Sequence, residues 1–227
     1  MQLQTILVLV ALAAFDSASA YPQNAEEVRS SIGKFQDATS SALATGSQKL
    51  KTLIAEIEAA SASAEDKSLK KLDELKTSTN TQIVKLEQTG KNDCVKIAKA
   101  DLTTSLDGLK KLIKNCGSNA KSKSNQLLDE VQNTLGGDAY RVRAGYFNQL
   151  DACIKKNSES CLNDLLAVVK ENTKVYPEEL LKRFDPIALS LSQIKSDVDK
   201  CLSNTDNEAT NASNKIITQL NECIKSK

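Results

Sequence analysis

The sequence predicts an all-α protein, a multi-helix bundle of long amphipathic helices stapled by disulfides. Three observations predict it. Only three prolines and eight glycines punctuate 227 residues, so few positions break a helix. Aromatic residues make up 4% of the chain and tryptophan is absent. Cores of Leu, Ile, Val and Ala suit helix bundles, whereas sheets favour aromatic and β-branched strands. Finally, the chain has six cysteines, Cys94, Cys116, Cys153, Cys161, Cys201 and Cys223. The outer two pairs are each 22 residues apart and the inner pair is 8 apart, nearly symmetric about residue 158.

Three segments follow. Residues 1–20 read as an export signal. Thr5 to Phe15 form an apolar run, too short for the roughly 20 residues that span a bilayer. The run ends at Ala18-Ser19-Ala20, the small-x-small pattern that places a cut before Tyr21. The expected product is secreted and extracellular, with no integral membrane association. Residues 21–90 form a cysteine-free helical segment rich in Ala, Ser and Lys, and residues 91–227 a six-cysteine helical domain.

In the first helical segment Val28, Ile32 and Phe35 begin a stripe, and Leu50, Leu53, Ile54 and Ile57 continue one beyond Gly46. After a Ser/Ala stretch at 59–64, Leu69, Leu72, Leu75, Ile83 and Leu86 mark another. Thr77 to Thr81 interrupt it with small polar residues, which predicts loose packing there. From Asp93 the pattern tightens: Val95, Ala98, Leu102, Leu106, Leu109 and Ile113 fall 3–4 apart, and Cys116-Gly117 reads as a helix end. Leu127, Leu128, Val131 and Leu135 carry a second helix that stops at Gly136-Gly137. Asp138 caps a third, with Val142, Tyr146, Phe147, Leu150 and Ile154 facing inward. Residues 155–160 are a polar turn. Leu162, Leu165, Leu166 and Val169 form a short helix ending before Pro177. Asp185-Pro186 starts the last helix, whose stripe runs from Ile187 to Leu220. Its middle, Asn204 to Asn214, offers only alanine on the stripe, so the helix either continues and approaches its neighbour closely or breaks near Asn204, and continuity is preferred.

Six cysteines allow fifteen complete pairings. A helix over 94–116 separates its ends by about 33 Å at 1.5 Å per residue, while a disulfide needs Cα atoms within about 7 Å. Cys94–Cys116 is therefore excluded, and Cys201–Cys223 likewise on a continuous helix. Antiparallel helices give Cys94–Cys223 and Cys116–Cys201, with Cys153–Cys161 closing the turn. Parallel helices would pair Cys94 with Cys201 and Cys116 with Cys223. The nested antiparallel set is preferred, because the intervening chain then folds back as a hairpin. Metal ligation by these cysteines is disfavoured, since C-x-x-C spacing and histidine are both missing.

Reaction chemistry is hard to find. The chain has no histidine, which removes the usual proton shuttle and every histidine-based triad. A Ser–Lys hydrolase is the variant that the composition still permits. No G-x-S-x-G, phosphate-cradling loop or dinucleotide fingerprint occurs, and no cofactor or metal is expected. The carboxylate pairs Glu26-Glu27, Asp129-Glu130 and Glu178-Glu179 fall near helix starts or on polar faces. Tyr140-Arg141-Val142-Arg143 with Tyr146-Phe147 is the densest aromatic-basic cluster, read as an amphipathic helix with its aromatics inward in preference to a binding surface. The charge, 30 basic against 29 acidic side chains, argues against nucleic acid as a partner. Asn211-Ala212-Ser213 is a glycosylation sequon.

Residues 91–225 resemble the TsetseEP-domain family of secreted insect proteins. The likeness rests on an exported helical chain with cysteine-bearing stretches, Asn148-Gln149-Leu150-Asp151-Ala152-Cys153 and Asp197-Val198-Asp199-Lys200-Cys201-Leu202-Ser203. The Glu-Pro repeat that names the family's founding member is absent here. The resemblance implies an extracellular insect protein without enzymatic activity and supplies no functional residues. Together these readings predict a non-catalytic extracellular binding protein. Its expected partner is another extracellular protein or a small apolar ligand held within the bundle. The alternatives are an amphipathic-helix lipid-surface binder and a secreted defence or venom-type effector. Bridges between distant helices oppose the first of these, and the near-neutral charge opposes the second.

Overall fold

A computed structural model of the chain describes residues 23–88 and 92–226. The export signal over 1–20 and its cut before Tyr21 lie outside these residues. Every element among the described residues is helical: α1 (Gln23–Glu87), α2 (Asn92–Lys155), α3 (Glu159–Lys182) and α4 (Asp185–Ser226). None of these helices is long and apolar enough to cross a membrane.

The helices are longer than the sequence predicts. α1 runs for 65 residues without a break and α2 for 64. Cys116-Gly117 and Gly136-Gly137 lie inside α2, where the sequence predicts helix ends, and Pro177 lies inside α3. A mid-helix glycine costs only about 1 kcal/mol, which packing on neighbouring helices offsets. At Gly117 a Cβ would stand 3.0 Å from the Glu65 carboxylate on α1, a flexible group that a small shift would move aside. The last helix is continuous through Asn204 to Asn214, and it opens at Asp185 with Pro186 in its first turn.

The turn between α2 and α3 has a clear local cause. Asn157 adopts φ 47°, a left-handed conformation that Asn tolerates better than most residues. Its N–H bonds to the Ile154 carbonyl, and the Ser158 N–H reaches the Cys153 carbonyl, a Schellman closure of α2. The Ser158 side chain then accepts from the Cys161 N–H and caps α3. The Cys153–Cys161 disulfide straddles this turn.

The described residues form two compact units, 23–46 with 132–183, and 47–88 and 92–131 with 184–226. They cut across the division expected at residue 90, since the cysteine-free segment contributes to both. In the first unit, Ala25, Val28, Ile32 and Phe35 of α1 pack on Tyr146, Leu150 and Cys153 of α2 and on Leu162, Leu165 and Val169 of α3. Lys170 pairs with Glu27 at 2.8 Å, and Asn24 donates to Asn163 at 3.0 Å, so α3 runs parallel to α1. The sequence placed Phe147 inward beside Tyr146, but Phe147 is 36% exposed. Consecutive helical residues diverge by about 100°, and here the buried face takes Tyr146 and leaves Phe147 at its edge.

In the second unit, Cys94–Cys223 and Cys116–Cys201 join α2 to α4 in the nested antiparallel arrangement, with Cα separations of 5.9 Å. α1 lies parallel to α4 at a slowly drifting register, with offsets of 136, 135 and 134: Lys49 pairs with Asp185, Lys71 with Asp206, and Thr79 hydrogen-bonds with Ser213. The core is aliphatic, built on Leu72, Ile83, Leu102, Leu106, Ile113, Val198, Leu202, Ile216 and Leu220. Small hydroxyl residues run through it: Ser61, Ser68, Thr79, Ser124, Thr205 and Ser213 are all buried. Around Thr77–Thr81 the expected loose packing is found on one side, where an open groove of about 520 Å³ is lined in part by Leu75, Ser78, Ala209 and Thr210, while Thr79 closes the other. Thr79 is 1% exposed and bonded to Ser213 on α4, so the two polar stretches satisfy each other.

Candidate binding surface

The aromatic-basic cluster on α2 is divided by the helix it sits on. Tyr146 points into the first unit, edge-on to Phe35 with ring centroids 5.2 Å apart. Its hydroxyl accepts from Asn172 Nδ2 at 2.6 Å. Burial pushes the Tyr146 phenol above its ordinary value, opposed by the Asn172 bond. Tyr176 also packs against Phe35, with centroids 5.5 Å apart and the rings tilted by 39°. Its phenol is raised too, by burial first and then by the nearby Asp138 charge among smaller influences. These two tyrosines build the core.

Arg141 is also committed within the fold. It turns back to Asp138, which accepts a second bond from Arg183 at 2.6 Å. The Arg183 bond, followed by that of Arg141, holds the Asp138 carboxyl below the usual carboxylate value. This small network ties α2 to the end of α3 at the surface.

Tyr140, Arg143 and Phe147 remain. Spacings of three and four residues place them on one face of α2. Tyr140 is 62% exposed, and the Arg143 guanidinium lies 5.4 Å from its ring centroid. An exposed cation–π contact of this kind contributes about 0.5–1 kcal/mol. The Arg143 Nε is buried with no hydrogen-bond partner, so the guanidinium has unsatisfied donor capacity on the side turned to the helix surface. Among the described aromatic residues, Phe35, Phe184 and Tyr146 are buried and Tyr176 is half-buried. Tyr140 and Phe147 are the two left facing solvent, and they share this face. Flat apolar rings flanking a delocalised cation suit contact with another macromolecule, where Tyr and Arg carry much of the binding energy.

A second feature of the same unit is an open groove of about 480 Å³ beside the Cys153–Cys161 disulfide, lined in part by Ala152, Leu165 and Val168. No residue pattern marks it, because its walls come from two helices brought together by the turn.

The other sequence candidates disperse. Glu27 pairs with Lys170, Glu130 accepts from Gln126, and the carboxylates at 26, 129, 178 and 179 stand exposed. All six cysteines are in disulfides. Among the described residues no group of Cys, Asp or Glu side chains is arranged to hold a metal ion. Asn211 lies exposed in the middle of α4, with Ser213 turned into the core. No family model matches the chain, and no curated protein or solved structure is significantly similar to it.

Proposed function

We propose that this chain is a non-catalytic, secreted interaction protein of the TsetseEP-like type that engages an extracellular protein through the Tyr140–Arg143–Phe147 face. The observation that carries the reading is the placement of two large aromatic side chains in solvent, on one helix face, in a chain so poor in aromatics. Leaving such rings exposed is unfavourable for a free bundle, and a partner that covers them recovers that free energy. The disulfides and the signal-like N-terminus support an oxidising, extracellular setting. The carrier form, with a small apolar ligand inside the bundle, has weaker support, because the cores are filled by the side chains that the stripes supply.

Native mass spectrometry of the protein secreted from eukaryotic cells, alongside a denatured, unreduced sample, tests both forms. A small adduct lost on denaturing supports the carrier. A bare chain sends the question to Tyr140→Ala/Phe147→Ala, compared with wild type for complex formation in extracellular fluid from the source tissue. Equal recovery of the same complex by both proteins would sink the proposed face.

A further inference from the structure

We infer that Asn211 is a glycan acceptor usable only before α4 packs into the second unit, so that folding itself decides each molecule's glycoform. The inference rests on the secretory reading above and concerns a different surface. In the folded chain the sequon Asn211-Ala212-Ser213 is helical throughout. Residues two apart on a helix project about 200° from each other, and here that difference separates solvent from core. Asn211 is exposed, whereas Ser213 is 4% exposed with its hydroxyl hydrogen-bonded to Thr79 on α1. Glycan transfer requires the sequon hydroxyl and the Asn amide to be presented together to the transferase on an extended segment. The closed unit offers the amide and withholds the hydroxyl.

Reopening is restrained as well. The sequon lies between Cys201 and Cys223, and each is bridged to α2. Melting this part of α4 alone therefore leaves a chain pinned at both ends, which gains less conformational entropy than a free one. Before those bridges form, that restraint is absent and only non-covalent packing opposes the extended conformation. The donor is a lipid diphosphate-linked oligosaccharide. Asn211 Nδ2 attacks the anomeric carbon, a C–N bond forms, the C–O bond to the diphosphate breaks, the lipid diphosphate leaves, and Nδ2 loses one proton. The finished glycan stands on the solvent side of α4 and is compatible with closure.

The test measures glycan occupancy by N-glycosidase shift in the full chain made in eukaryotic secretory cells. Brief dithiothreitol treatment during synthesis, or Cys116→Ala/Cys201→Ala, is expected to raise occupancy over untreated wild type, and Asn211→Gln to abolish the shift. In parallel, purified unglycosylated protein is offered to isolated microsomal transferase with the lipid-linked donor. Reduced and alkylated chain is expected to accept glycan while the folded chain stays bare. Transfer to folded protein, unchanged occupancy under delayed closure, or no transfer to the unfolded chain would each overturn the inference. Appearance of protein in the medium is scored separately, so failed export counts against the secretory reading while the microsomal assay still judges the gate.

Discussion

The two units rest on different sources of stability. The first buries Phe35 against Tyr146 and Tyr176 and carries one disulfide spanning 8 residues. The second buries a single ring, Phe184, outside an aliphatic core cluster threaded by buried serines and threonines, and carries two disulfides spanning 129 and 85 residues. Large rings bury much apolar area per residue, so a short covalent loop suffices beside them. Small hydroxyl side chains bury little, and there long-range bridges supply what packing does not. The chain-entropy account assigns loops of that size about 4–5 kcal/mol each. α1 enters the second unit without a covalent tie of its own. It is held by packing, by the Thr79–Ser213 bond and by exposed ion pairs worth at most about 1 kcal/mol each.

The contrast is open to experiment because the described tyrosines, Tyr140, Tyr146 and Tyr176, all belong to the first unit. On a Tyr21→Phe background, tyrosine near-ultraviolet signals therefore report on it selectively. The largest expected effect comes from replacing Cys94, Cys116, Cys201 and Cys223 together by alanine. Each lost bridge should cost about 4–5 kcal/mol. Hydrogen exchange over α4 should accelerate to the intrinsic rate while the tyrosine signal survives. Simultaneous loss of both would show that the units do not differ in their dependence on the bridges. Next is Phe35→Ala, expected to cost about 3–5 kcal/mol and to abolish the tyrosine circular dichroism while α4 amides stay protected.

A smaller effect of opposite sign is expected at Ser124, which is fully buried with its hydroxyl unpartnered. Ser124→Ala should stabilise the second unit by about 1 kcal/mol, read as a higher denaturant midpoint, and a loss of stability would mean that the hydroxyl has a bonding role. The smallest concerns pH. The raised phenols of Tyr146 and Tyr176 favour the neutral form in the folded state. Their stabilisation is complete below the ordinary phenol value of 10.0 and is lost as pH rises through the higher folded values. Alkaline titration should therefore loosen the first unit through this route, with Tyr146→Phe removing part of the dependence. An unaltered profile in that variant would show that another group titrates.

Much of the architecture was legible in the residues. The stripes at 28–35, 95–113 and 187–220 mark helices that exist, and the matched 22-residue cysteine spacing is what the two long-range bridges require. Helix ends were misread at Gly117, Gly136-Gly137 and Pro177. Each is a local signal worth about 1 kcal/mol for glycine and about 3 kcal/mol for proline. At Pro177 the flanking Tyr176 and Leu180 face inward and hold the helix to its core. The candidate surface was half legible. The cluster at 140–147 stands out in composition, but the assignment of Tyr146 to the core and Phe147 to solvent depends on where Phe35 arrives from α1.

The sequence by itself determined the helical class, the stripes that pack, and the cysteine spacing that makes a nested clamp possible. Those features are written in separations of three, four and 22 residues, which a reader of one chain can see. The tertiary structure alone decided that helices pass through their glycines, that Thr79 meets Ser213, and that Tyr140 and Phe147 face outward together. Those outcomes turn on contacts between residues more than a hundred positions apart, such as the 134 separating Thr79 from Ser213. The free energy of such contacts exceeds the local preferences they override, and no local pattern records it.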